Sequence, residues 1–128
     1  GKGVPQDDKQ AVTWYRKAAD QGNASAQSKL ALKYYSGKGV PLDYKQAMTW
    51  YRKAADQGDA DAQYTLGYMY YKGLGVPQDY VQAHMWWNLA AVSEDQEAIK
   101  GRDAVAVMMT PAQLAEAQKL AREWKPTD

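Results

Sequence analysis

Thr13-Trp14-Tyr15-Arg16-Lys17-Ala18-Ala19-Asp20-Gln21-Gly22 returns unchanged as Thr49-Trp50-Tyr51-Arg52-Lys53-Ala54-Ala55-Asp56-Gln57-Gly58. In each copy the apolar residues stand at helical spacing: Ala11, Trp14, Tyr15, Ala18 and Ala19, then Ala47, Trp50, Tyr51, Ala54 and Ala55. Residues spaced i, i+3, i+4, i+7 and i+8 share one helix face, so each copy is an amphipathic helix with that stripe inward. Gly22 and Gly58 can adopt the left-handed conformation that ends a helix, and Asn23 or Asp59 then caps the next one. A connection this short turns the chain back on itself, so the following helix is antiparallel.

The repetition extends outward. Gly1-Lys2-Gly3-Val4-Pro5 recurs as Gly37-Lys38-Gly39-Val40-Pro41 and as Gly73-Leu74-Gly75-Val76-Pro77, an offset of 36 residues, and residues 1–36 laid over 37–72 share 25 identities. A fixed period of this length marks a helical repeat array. Helices are predicted over 7–21, 24–35, 43–57, 60–71 and 80–92, with Asp7, Asp43 and Asp79 as N-caps and Gln10, Gln46 and Gln82 three residues on. Beyond Ala91 the repetition fades. Two more helices are expected, over 94–109 and 111–124, the latter opened by Thr110, Pro111 and Gln113. Helix 80–92 is apolar around most of its circumference, so this last pair is expected to cover it as a C-terminal cap.

The succession A-x-A-Q-x-x-L-G-x-M-Y, G-x-G-V-P-x-D-Y and Q-A-x-x-W-x-x-x-A-A over roughly residues 1–92 resembles the Sel1-like repeat, a relative of the tetratricopeptide repeat. The resemblance implies an all-α, right-handed superhelix of antiparallel helix pairs, with about seven helices here, acting as an adaptor in bacterial protein complexes. It implies a single domain over 1–128: a partial unit 1–22, units at about 23–58 and 59–92, and a cap at about 93–125. The family's disulfide-clamped branch is excluded because the chain has no cysteine. The partial unit starts without its first helix, so one flank of helix 7–21 is expected to be bare. The chain should then be monomeric or self-associate weakly.

Composition narrows the function. Sixteen Lys and Arg against 15 Asp and Glu leave a net charge of +1, too little for the positive field that draws nucleic acid. No nucleic-acid partner is expected. No apolar run reaches the roughly 18 to 20 residues that cross a bilayer, so no membrane insertion is expected either, while both sides of a membrane stay open as the compartment. Gly37-Lys38-Gly39 follows a helix and lacks the GK[ST] ending of a phosphate-binding loop. His84, the one histidine, stands where Val12 and Met48 stand in the other units, and no thiol or second histidine could complete a metal or nucleophile set. It reads as packing. Glu94, Asp95 and Glu97 read as first-turn acids favoured by the helix dipole. The chain is therefore expected to be no enzyme and to need no cofactor or metal.

What remains is a surface. In the helices over 24–35 and 60–71 and at the residue that follows them, six of the positions that differ between units, Ser25/Asp61, Ser28/Tyr64, Lys29/Thr65, Leu32/Tyr68, Lys33/Met69 and Ser36/Lys72, form one continuous face. Ala26, Gln27, Leu30 and Tyr34 are retained opposite them. Leu32, Tyr64 and Tyr68 are poor choices for a face that meets only water, and in related superhelices this type of helix lines the concave side. The expected contact surface for a protein or peptide is Lys29, Leu32, Lys33, Tyr64, Thr65, Tyr68 and Lys72. The alternative reading is an envelope module binding glycan or peptidoglycan through exposed aromatics, or an accessory domain of a longer enzyme.

Overall fold

The computed structural model describes residues 4–127 as seven helices in chain order: α1 Val4–Asp20, α2 Ala24–Ser36, α3 Tyr44–Asp56, α4 Ala60–Lys72, α5 Tyr80–Ala91, α6 Gln96–Ala106 and α7 Pro111–Glu123. From α1 to α6 each helix packs on its neighbours in sequence, while α7 packs back on α5 and α4 touches α6. The result is an all-α solenoid of antiparallel pairs. Among the described residues there is no strand.

Caps close the helices where the sequence places them. The side chains of Asn23, Asp43, Asp59, Asp79 and Asp95 each accept from backbone N–H groups of the following turn. Thr110 and Gln113 form a reciprocal capping box. One expectation fails: α1 starts at Val4, so Asp7 lies inside its first turn and does not cap it. In the later units the Asp that follows the loop is held by Asp43 N–H to Tyr34 O and Asp79 N–H to Tyr70 O, bonds that need a preceding helix. Pro5 is tolerated in a first turn, so the segment Val4–Asp7 continues α1 instead of forming the loop. Gly1–Gly3 lie outside the described residues.

Two features of the repeat acquire a cause. Gln27 and Gln63 are buried, and each donates through Nε2 to a carbonyl near the end of the preceding helix, Ala19 O at 3.1 Å and Ala55 O at 3.2 Å. The glutamine in the A-x-A-Q pattern thus satisfies a helix end that would otherwise be left orphaned. The second glycine of each loop permits close approach. A Cβ on Gly75 would lie 2.7 Å from the Tyr44 carbonyl oxygen, and one on Gly39 would lie 2.5 Å from that of Asp8.

The 36-residue register also runs further than the residue identities do. Asp95 follows Asp59 by one period and caps α6 as Asp59 caps α4, and Ala98 is fully buried like Ala62. Glu94 occupies the place of Gly22 and Gly58 and takes their left-handed conformation, with φ 61°. α6 therefore stands in line with α2 and α4. α7 departs from the register, because the glycine loop that precedes α3 and α5 is replaced by the short turn Val107–Thr110.

Trp50 was expected deep in the core on the strength of its stripe; it is half-buried at the edge of the packed cluster instead. Its counterparts bracket it, with Trp14 67% exposed and Trp86 fully buried. The same side chain at the same place in the repeat is buried according to what lies beyond it in the stack.

Candidate functional site

Side by side, α2, α4 and α6 bound a groove with two basins. The first, about 350 Å³, lies between α2 and α4 and is lined by Leu32, Tyr35, Tyr51, Tyr64, Thr65 and Tyr68. Ser28, Lys29 and Asp61 extend it toward the N-terminal ends of these helices. The second, about 290 Å³, lies between α4 and α6, with Tyr64, Tyr68, Tyr71 and Trp87 on one side and Glu97, Lys100, Gly101 and Ala104 on the other. Tyr64 and Tyr68 line both and form the ridge between them.

The basin floors are equivalent. Tyr35 stands against Tyr44 at 5.4 Å and Tyr51 at 6.4 Å between ring centroids. One period later Tyr71 stands against Tyr80 at 5.8 Å and Trp87 at 5.7 Å. The larger indole at 87 is accommodated by smaller neighbours: Ala31 becomes Gly67 and Thr65 becomes Gly101. A Cβ on Gly67 would come within 2.6 Å of the Trp87 ring and one on Gly101 within 2.9 Å. Trp87 Nε1–H donates to Tyr64 O at 3.0 Å, which fixes the ring and spends its polar atom internally. Gly67→Ala is expected to destabilise by about 1–3 kcal/mol through overpacking. Adding Trp87→Tyr, which restores the pairing seen at Ala31 and Tyr51, should recover most of that loss in a denaturant titration.

The groove is apolar at its floor and acidic along one edge. Asp59 and Asp61 lie at the start of α4, and Asp95 and Glu97 at the start of α6. Burial, and then the neighbouring Asp61 charge, raise the Asp59 carboxyl above the ordinary aspartate value. Burial raises the Tyr64 hydroxyl, and the Glu97 and Asp95 charges add to it. Tyr51 is raised mainly by burial.

Of the expected contact residues, Leu32, Tyr64, Thr65 and Tyr68 meet in the first basin, and Lys29 stands at its mouth. Lys33 and Lys72 are not brought in. Lys33 Nζ is paired with Asp8 at 2.8 Å and ties α1 to α2, while Lys72 is exposed with its Nζ 5.7 Å from the Tyr71 ring centroid. Met69, which varies between units, is fully buried. Reasoning from variable positions missed Tyr35, Tyr51, Tyr71 and Trp87, which repeat or nearly repeat and so read as core. The paired changes Tyr51 to Trp87 and Ala31 to Gly67 were the available signal for a shared wall.

His84 is buried, and its pKa is lowered by burial first and by Arg102 second, so it packs as a neutral imidazole at pH 7. Among the described residues no three acidic, histidine or cysteine side chains gather as a metal site would require. Nor is any helix among them long and apolar enough to cross a membrane.

The Sel1 repeat profile matches residues 1–23, 24–59 and 60–91. Among solved structures, c5321, a protective antigen present in uropathogenic Escherichia coli strains displaying an SLR fold, is 42% identical over 91% of this chain with a TM-score of 0.88. A Sel1 repeat protein from Oxalobacter formigenes is 41% identical over 70% of this chain with a TM-score of 0.68. This chain spans only 25% of the first protein and 37% of the second. A search of curated proteins finds no match.

Proposed function

Because the chain belongs to the Sel1 repeat family, whose members generally mediate protein–protein interaction and are typically non-catalytic, we propose that it is a binding scaffold whose partner lies in the α2–α4–α6 groove. The observation that carries this reading is the open row of tyrosines, with Leu32 52% exposed at its wall. Tyrosine offers large contact area, low rotamer entropy and a hydroxyl that can bond a peptide, and it is enriched where binding energy concentrates. Leu32, Tyr64, Thr65 and Tyr68, with Lys29 at the mouth, form the contact surface.

A photo-crosslinking amino acid at Thr65, compared with one at exposed Lys119 on α7, tests the assignment in cells. Protein adducts should form from position 65 and be lost, by at least about tenfold, when Tyr64 and Tyr68 are both changed to alanine. Equal adducts from both positions, or adducts indifferent to the tyrosines, would place the partner elsewhere.

A further inference from the structure

Resting on that reading of the groove, we propose that its occupant is a basic peptide that seats an arginine or lysine side chain in the first basin, against the tyrosines and beside Asp61. The first ground is a seat that repeats along the stack and is served elsewhere by the chain itself. Tyr15, Tyr51 and Trp87 hold one position of the 36-residue repeat, and Lys29, Thr65 and Gly101 hold another. The fold brings the two positions together in all three units. Lys29 Nζ lies 5.9 Å from the Tyr15 ring centroid, Thr65 sits beside the Tyr51 hydroxyl, and a Cβ on Gly101 would fall 2.9 Å from the Trp87 ring.

An ammonium at the distance of Lys29 from Tyr15 is attracted to the ring face, so this side chain shows what the seat takes. At Trp87 the seat is served by Lys100, which lines the second basin with its Nζ 3.7 Å from Glu97. At Tyr51 the overlying side chain shortens to threonine, and the basin of about 350 Å³ opens there. Among the described residues no Lys or Arg stands over Tyr35, Tyr51, Tyr64 or Tyr68. The first basin is thus the aromatic seat that lacks its cation.

The second ground is charge. Ser25 of α2 becomes Asp61 in α4, one period on. Asp61 is exposed at the mouth of the first basin, with Asp59 close by. Asp59 is spent on capping α4, whereas Asp61 caps nothing and pairs with no Lys or Arg among the described residues. The helix dipole favours an acid in any first turn; what Asp61 adds is its place at the rim of an unserved seat. Burial raises the Tyr51 hydroxyl and the Asp61 and Asp59 charges add to it, so their negative potential reaches the floor. Lys29 also borders this mouth, but its ammonium is engaged at Tyr15, and two acids leave the mouth net acidic. A basic side chain complements both features, its stem and cationic head against the rings and its charge toward the carboxylate. Inside the stack the chain pairs cations with aromatics in the same way, with the Arg16 guanidinium 6.0 Å from the Trp50 ring and that of Arg52 5.4 Å from Trp86.

Random dodecapeptides displayed on phage, selected on the whole chain and counter-selected on the Tyr64→Ala/Tyr68→Ala variant, test the proposal. The variant's thermal midpoint is checked first, and Leu32→Ala serves as a second groove variant should the double one fail to fold. Selected sequences should share a basic position, and synthetic peptides with glutamine there should bind at least about tenfold more weakly. Asp61→Asn should weaken binding several-fold, and Lys29→Gln should leave it equal or tighter. Thr65→Lys, which supplies the seat from the chain as Lys29 does at Tyr15, should weaken binding at least about tenfold. Thr65→Met, of similar length without the charge, should weaken it several-fold less. Groove-dependent peptides that share no basic position, or acidic ones lost on Lys29→Gln but not on Asp61→Asn, would overturn this inference while leaving the binding groove in place. Equal losses from Thr65→Lys and Thr65→Met would do the same. Failure to select any groove-dependent peptide would overturn both.

Discussion

Trp86→Ala is expected to cost about 3–5 kcal/mol, as for deleting a fully buried aromatic from a close-packed interior. The identical change at Trp14 should fall within about 0.5 kcal/mol of wild type, because that ring is 67% exposed. Trp50→Ala should lie between them, since its ring is half-buried. Trp86 belongs to the central cluster against which Leu120, Ala121 and Trp124 of the C-terminal segment pack. It also carries the Arg52 guanidinium 5.4 Å from its ring, as Trp50 carries that of Arg16 at 6.0 Å. The three residues occupy one repeat position and differ only in their place along the stack. Denaturant titrations of the three variants should therefore rank in chain order. Equal losses at all three would mean that local helix stability, not stacking, sets the energetics.

Deleting residues 110–128 is expected to make the protein aggregate. α7 packs along α5, Ala117 is fully buried, and Leu114 packs on the second cluster with Trp87 and Val105. The tail then returns to α3, where Thr127 N–H donates to Asp56 O at 2.7 Å. Removing this layer uncovers a contiguous apolar face around Trp86 and Met85, of the kind that drives aggregation. Light scattering and sedimentation at micromolar concentration report the outcome. A truncated chain that stays monomeric with an unchanged thermal midpoint would show α7 to be an appendage.

Much of this architecture is written in short-range chemistry. The apolar stripes, the Asp and Asn caps, the Thr110–Gln113 box and the left-handed glycines each act within a few residues, so the helices and their antiparallel pairing could be read directly from spacing. Half of the groove was legible as well. Leu32, Tyr64, Thr65 and Tyr68 stood out because they vary where packing does not hold them.

Other features depend on which units meet, and no single unit encodes that. Trp14, Trp50 and Trp86 are one letter in the sequence and three environments in the fold, because burial is a property of the neighbour. Lys33 looked free until Asp8 of α1 was placed beside it. Tyr35, Tyr51, Tyr71 and Trp87 repeat like core residues yet floor the basins, since the space between successive units leaves part of each ring open. The sequence by itself determined the helices, their caps and their repeat. Only the stacking of one unit on the next decided which identical side chains are buried, which charges are spent and where the groove opens.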